Sequence, residues 1–355
     1  MARLEPADGV LVGMSVDWGT DTTAAIDARL GRTPAVWVQF VGFPFADADR
    51  TNVAGFVDAV AADGGLALLT LEPNAGLAAV DDQAIRELVT VLAAANARGV
   101  GVLVRFAHEM NGSWYAWGQQ PAAYVAAFRR VAAAVHAGTA RSAMLWAPND
   151  GGGYPFAGGP HEAKQGTSDF ALLDTNEDRR LSMTDDPYAP YYPGDDAVDW
   201  VGMSLYHWGD VWPWGRNVLP EPDKFAHKLT GTYDGTAGDE SPLPDFYATY
   251  ADGHEKPMAI PETAAFFRPA ITAGADELSL KQAWWREVFS DATLARFPRI
   301  RLVDWFEQRK YESEVSDVVD WRVSARPAIA EAFLDDLPAG FRFAPQPTAP
   351  QVAAP

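Results

Sequence analysis

Eight short apolar runs punctuate this chain, at 10–16, 35–40, 66–71, 101–107, 143–149, 199–206, 257–262 and 300–306. Each is continuously apolar rather than alternating, the pattern of strands covered on both faces, as in a parallel sheet. Helix signals fill the segments between them. Asp81 and Asp82 supply an N-cap for a stretch whose Ile85, Leu88, Val89 and Leu92 share one face, and Gly99 stands where a C-cap belongs. Pro121 suits a first helical turn, after which Tyr124, Phe128, Val131 and Val135 form a stripe that stops at Gly138. Ser279 is placed to cap a helix carrying Trp284, Trp285 and Val288. Eight β-then-α units predict an α/β protein of the (β/α)8 TIM-barrel class, with its site at the C-terminal ends of the strands. The rival is an open doubly wound sheet, which ordinarily carries a Gly-x-Gly-x-x-Gly turn after its first strand; none is present.

Two βα connections, 150–198 and 207–256, are far longer than the usual few residues. Long loops after strands 5 and 6 are therefore expected on the face that carries the site. One barrel domain is expected over 1–342, followed by a Pro/Ala-rich tail or linker over 343–355.

The run 105–118, Arg-Phe-Ala-His-Glu-Met-Asn-Gly-Ser-Trp-Tyr-Ala-Trp-Gly, ends the fourth strand in a carboxylic acid wrapped by a histidine, an asparagine and two tryptophans. Low dielectric around Glu109 would raise its pKa and keep it protonated as a general acid. Flat indole faces beside it are surfaces on which sugar rings stack. A second acid, Glu262, closes the seventh strand. Strands four and seven are not neighbours, so the two carboxyls face a common gap across the barrel mouth. Glycoside hydrolysis by double displacement requires this arrangement, with the carboxyls about 5 Å apart. Trp146 ends strand five and can line the cleft. His207, Trp208, Trp212 and Trp214 form an aromatic cluster suited to further sugar units or to packing within the loop itself. Asp17 and Trp18 close strand one, and Glu72 closes strand three; each can bind hydroxyls or brace the barrel. The acid-rich stretch 174–186 reads as a solvated loop.

These residues carry a resemblance. The Arg-x-x-His-Glu-Met-Asn-Gly-x-Trp-Tyr-x-Trp-Gly pattern at 105–118 resembles the acid/base segment of glycoside hydrolase family 26. Residues 192–206 resemble that family's sixth-strand region, and Pro261-Glu262-Thr263 its nucleophile strand. The resemblance implies a retaining mechanism with Glu109 as acid/base and Glu262 as nucleophile. It implies that His108 contacts the sugar or holds the acid's surroundings. It further implies that Tyr206 hydrogen-bonds the nucleophile and that Trp305 forms an aromatic floor, while Asn111 and Trp114 follow the acid closely enough to line the pocket. Ala116 stands where a proline is often found, and the long loops match no β-mannanase subsite, so the substrate is less defined than the reaction.

Charge and composition bound the alternatives. With 48 acidic against 28 basic side chains, the net charge of -20 argues against nucleic acid or an anionic membrane as partner. No cysteine means no disulfide, thiolate nucleophile or Cys-ligated zinc. Six scattered histidines show no paired metal-ligand spacing, so neither metal nor other cofactor is expected. No apolar run approaches the roughly 18 residues that span a bilayer, and the first residues lack the features of a signal peptide. A polymer substrate favours a secreted protein, although localisation is not readable from the chain; a monomer is expected. The leading expectation is a retaining endo-glycanase on a neutral β-linked polysaccharide, with β-1,4-mannan first and β-1,3/1,4-glucan or xylan next. A non-catalytic carbohydrate-binding barrel is the alternative from another class.

Overall fold

The computed structural model describes residues 1–344. Eight parallel strands build a closed barrel: β1 (Val10–Val16), β2 (Val36–Gly42), β3 (Leu66–Glu72), β4 (Gly101–Phe106), β5 (Ser142–Trp146), β6 (Trp200–Ser204), β7 (Met258–Thr263) and β8 (Ile300–Glu307). They stand in chain order around the barrel, and β8 closes on β1 with Leu11 opposite Leu302 and Val16 opposite Glu307. The eight apolar runs are these eight strands.

Among the described residues nine helices alternate with them: α1 (Thr23–Leu30), α2 (Asp47–Asp63), α3 (Asp82–Ala97), α4 (Pro121–Gly138), α5 (Ser168–Leu173), α6 (Lys224–Leu229), α7 (Glu277–Val288), α8 (Asp291–Arg296) and α9 (Pro327–Asp336). Local chemistry sets their ends. The Asp81 carboxylate accepts from the Ala84 N–H at 2.8 Å and starts α3. Pro121 opens α4, where its missing N–H would have had no partner. The start of α7 differs from expectation: Asp276 is the cap, accepting from both the N–H (3.0 Å) and the hydroxyl (2.7 Å) of Ser279. Ser279 thus sits inside the first turn, because an aspartate three residues earlier reaches the same free amide.

The core has two layers. Val36, Val38, Leu68, Leu103, Leu145, Ala259 and Leu302 belong to a cluster filling the barrel, while a larger one lies between strands and helices. The interior is not wholly apolar: Ser15, Thr70, Arg105, Ser204 and Asp304 are buried completely. Asp304 pairs in register with Gly13, where a Cβ would fall 1.4 Å from its Oδ1; the absent side chain makes room for the carboxyl. Burial raises the Asp304 pKa well above the usual carboxylate range, with the Arg105 charge opposing and Glu262 adding to the rise.

Both long connections carry local structure, α5 with a 3-10 turn at Ala189–Tyr191 in the first, and α6 with a π-turn at Tyr247–Asp252 in the second. Lys228 of α6 ties them together, lying 3.2 Å from Asp150 and pairing with Glu240. The stretch 174–186 is mostly exposed as expected, but Asp185 is buried and accepts from the Ser182 and Asn176 amides. Phe343 and Ala344, assigned from sequence to the tail, pack back on the barrel: the Ala344 N–H donates to the Thr33 carbonyl at 2.9 Å, and Arg32 lies over the Phe343 ring. The rest of that tail, 345–355, lies outside the described residues. Among the described residues no helix is long and apolar enough to cross a membrane.

Candidate active site

Strand β4 delivers Arg105 to the barrel interior and then breaks sharply. Ala107 and Glu109 adopt left-handed backbone, with φ of 49° and 53°. Non-glycine residues rarely stand there, and the cost is met by surrounding contacts. The Glu109 N–H donates to the Ala147 carbonyl (3.0 Å), and the Trp117 indole donates to the His108 carbonyl (2.7 Å). The Asn111 side chain clamps Asn149, donating to its carbonyl and accepting from its amide, both at 2.9 Å. A Cβ at Gly112 would lie 2.3 Å from the Trp114 ring, so the motif's glycine is what lets that indole fold back over the loop. It reaches Glu109: Trp114 Nε1 donates to Oε2 at 3.1 Å.

Glu262 arrives from β7 into the same space. Arg105 donates to Oε1 of Glu262 and, at 2.6 Å, to the hydroxyl of Ser204. Tyr206 donates to Oε2 of Glu262 at 2.7 Å. Both oxygens of Glu262 therefore accept, one from a guanidinium and one from a phenol. Glu109 lies close enough to Glu262 to feel its charge. Burial, with the Glu262 charge second, pushes the Glu109 pKa up to about 7; Arg105, Ser204 and Trp114 oppose the rise. His108 is buried, and desolvation followed by the Arg105 charge lowers its pKa well below the ordinary value, leaving a neutral imidazole. Its ring stands 4.9 Å from Tyr115 and 5.5 Å from Phe40. Glu72, at the end of β3, has its pKa raised by desolvation and then by Glu262.

The expected residues divide. Glu109, Glu262, Trp114, Tyr206 and His108 converge, and the half-buried Trp208 stands 6.5 Å from the Tyr206 ring while packing on Trp214, Phe266 and Trp321. Asn111 is buried in its clamp instead of facing the pocket. Two tryptophans point the other way. Trp305 is buried against Phe289 and Phe333 of the helical layer and donates to the Trp321 carbonyl at 2.9 Å. Trp146 packs against Tyr192, Phe246 and Tyr250 outside the barrel. Strand alternation is the reason: Leu302 and Leu145 face the interior, so the residues at 305 and 146 face out. The aromatic side chain at the mouth end of β8 is Phe306, 5.9 Å from Tyr206. His207 is also structural: its Nε2–H donates to the Val218 carbonyl at 2.8 Å. Sequence reasoning gave no role to Arg105 or Ser204. A lone arginine in an apolar strand was the available signal, since a buried guanidinium needs a paired anion.

No family model matches the chain. Among curated proteins it is similar to Endoglucanase H of Acetivibrio thermocellus, 22% identical over 319 residues that cover 87% of this chain and 28% of that protein. The chain thus spans little more than a quarter of that relative's length. Solved structures share the fold across nearly its whole length. GH26C from Muricauda sp. aligns with a TM-score of 0.59 at 14% identity, covering 95% of this chain and 87% of that one. The Bacillus subtilis mannanase BCman aligns at 0.55 and 14%, covering 96% and 88%. The catalytic domain of the Bacillus sp. JAMB-750 GH26 endo-β-1,4-mannanase aligns at 0.55 and 16%, covering 94% and 87%. These solved structures share the barrel fold of this chain.

Proposed function

We propose that this chain is a retaining glycoside hydrolase that cleaves a neutral β-linked polysaccharide, β-1,4-mannan first, by double displacement. The observation that carries the reading is the pair of buried carboxyls at the barrel mouth with unlike partners, Arg105 and Tyr206 on Glu262 and the Trp114 N–H on Glu109. Glu262, held by Arg105 and Tyr206, is the attacking carboxylate; its Oε atoms reach the anomeric carbon and form a glycosyl ester as the aglycone departs. Glu109, with a pKa near neutrality, gives its proton to the leaving glycosidic oxygen. It then removes a proton from water, whose oxygen attacks the anomeric carbon and returns Glu262 to a free carboxylate. Two inversions retain the configuration. Neutral His108 neither adds charge to the pocket nor competes for the proton.

A β-glucan is the second reading, favoured by the similarity to Endoglucanase H. A polysaccharide panel of β-1,4-mannan, mixed-linkage β-glucan and β-xylan, with reducing-end release and product sizing, tests both. Mannan turnover with retained anomeric configuration is the expected result. Inverted product would sink the double displacement, and inactivity on every polymer would sink the enzyme reading.

A further inference from the structure

The barrel interior beneath the two carboxyls is polar in a way that packing does not require. Asp304 interrupts the apolar run of β8 and is buried completely, and neither of its oxygens has a hydrogen-bond partner among the described residues. Opposite it β1 carries only Gly13, where no Cβ could stand. Two strands thus give up apolar side chains at this level to admit one acid. Because a buried polar atom without a partner is costly, stability alone does not account for the pair.

Other unpartnered atoms surround it. Arg105 donates from one terminal nitrogen to Glu262 and from the other to Ser204, yet its Nε–H is buried and has no partner among the described residues. The Ser15 and Thr70 hydroxyls are likewise buried and unpartnered there. All four side chains point inward. Leu68, Leu103 and Leu302 belong to the cluster filling the barrel, and Thr70, Arg105 and Asp304 each follow by two residues. Ser15 likewise stands two residues beyond Gly13. Thr70 lies directly opposite Arg105 in the β3–β4 register. Arg105 and Asp304 come from β4 and β8, even-numbered strands whose inward side chains share layers in such a barrel.

The chemistry of these groups selects water. Two hydroxyls donate and accept, the guanidinium Nε–H only donates, and a carboxyl kept neutral by burial does both through its O–H and carbonyl. Buried water bridges groups of this kind, making about three hydrogen bonds at each place it occupies. The guanidinium disfavours a cation here, and the Glu262 carboxylate disfavours an anion.

We propose that Asp304 is a positioning residue for the reaction: with Ser15 and Thr70 it holds ordered water against the Nε–H of Arg105, and so fixes the guanidinium that holds Glu262. The inference rests on the glycosidase reading above. Asp304 touches no substrate, so its contribution falls on kcat and not on KM.

Asp304→Leu removes the carboxyl at similar size. Asp304→Asn keeps a carbonyl and supplies an N–H where the neutral acid has an O–H. Steady-state kinetics on β-1,4-mannan, or whichever neutral polymer the wild type cleaves, would be read beside a high-resolution crystal structure of the wild type. For Asp304→Leu we expect kcat to fall on the order of tenfold with KM within about twofold of the wild type. Asp304→Asn should recover most of that loss. A role in packing alone predicts the reverse order, because leucine is the better core residue. Thr70→Val, close in shape, should also lower kcat at constant KM and keeps the test available if the leucine variant misfolds. The crystal structure should show water within hydrogen-bond distance of both Arg105 Nε and the Asp304 carboxyl. Wild-type kcat in either folded variant, or a structure with no water on that Nε–H, would overturn the positioning role and leave the glycosidase standing. A wild-type protein inactive on all substrates would instead overturn the glycosidase reading, and this inference with it.

Discussion

Arg105 binds Glu262 through one guanidinium nitrogen and the Ser204 hydroxyl, at 2.6 Å, through another. The Arg105 charge also acts on Glu109, so a single buried cation bears on both carboxyls. The arrangement gives each acid a different job: one is surrounded by donors, the other is raised by its burial and by its neighbour's charge.

Glu109→Gln removes the transferable proton and keeps the shape. Turnover of polysaccharide should fall by about 10²–10⁴, whereas a glycoside with a leaving group that needs no proton should still form the glycosyl ester. Burst kinetics on the activated substrate check this. An unchanged polymer rate would remove Glu109 from the role of acid.

The pH dependence follows from the same carboxyl. Activity requires protonated Glu109, so kcat/KM should decline as pH rises through about 7. Burial and the Glu262 charge set that position, while the Trp114 N–H opposes them by stabilising the ionised form. Trp114→Phe therefore should move the alkaline limb to higher pH. A limb that stays in place or moves to lower pH contradicts the assignment.

Tyr206→Phe deletes the 2.7 Å hydrogen bond to Glu262 and leaves the ring. A single donor of this kind contributes about 10²–10³ in rate where charge develops; kcat should fall by an amount of that order with the melting temperature little changed. Arg105→Met, by contrast, leaves Glu262 buried without its cation and should cost about 3–5 kcal/mol of stability as well as activity. Denaturant titration separates the two behaviours.

Asp304 offers a test at the level of stability. Its folded pKa is raised by burial, so the folded state holds this proton more tightly than the unfolded chain. The resulting stabilisation is complete below the unfolded carboxylate pKa and is lost as pH rises toward the folded value. Asp304→Asn has no proton to lose. Its melting temperature should exceed that of the wild type at neutral pH, by a margin that shrinks on acidification. A margin independent of pH would show that the carboxyl does not titrate on folding.

The architecture was legible because a parallel barrel buries both faces of every strand, and eight apolar runs separated by capped helices have few other solutions. The acids were legible for a related reason: Glu109 and Glu262 each end such a run, where only a functional carboxyl or an ion pair belongs. The same double burial hid the direction of Trp146 and Trp305. When inward and outward positions are equally apolar, alternation leaves no trace in the sequence, and a shift of one residue sends an indole to the opposite layer. Counting from Arg105 or Asp304, polar residues that pack inside the barrel, would have fixed the parity. Ser204 carried no signal of its own, because its role exists only where three strands bring their side chains to one point.

Lys228 joins the two extended connections by a cation placed between Asp150 of one and Glu240 of the other. A truncation of either segment would strand an unbalanced charge away from solvent, at a cost of several kcal/mol. The two insertions are consequently not independent modules: in variants of this barrel their lengths should change together, or Lys228 should be lost along with the first to shorten.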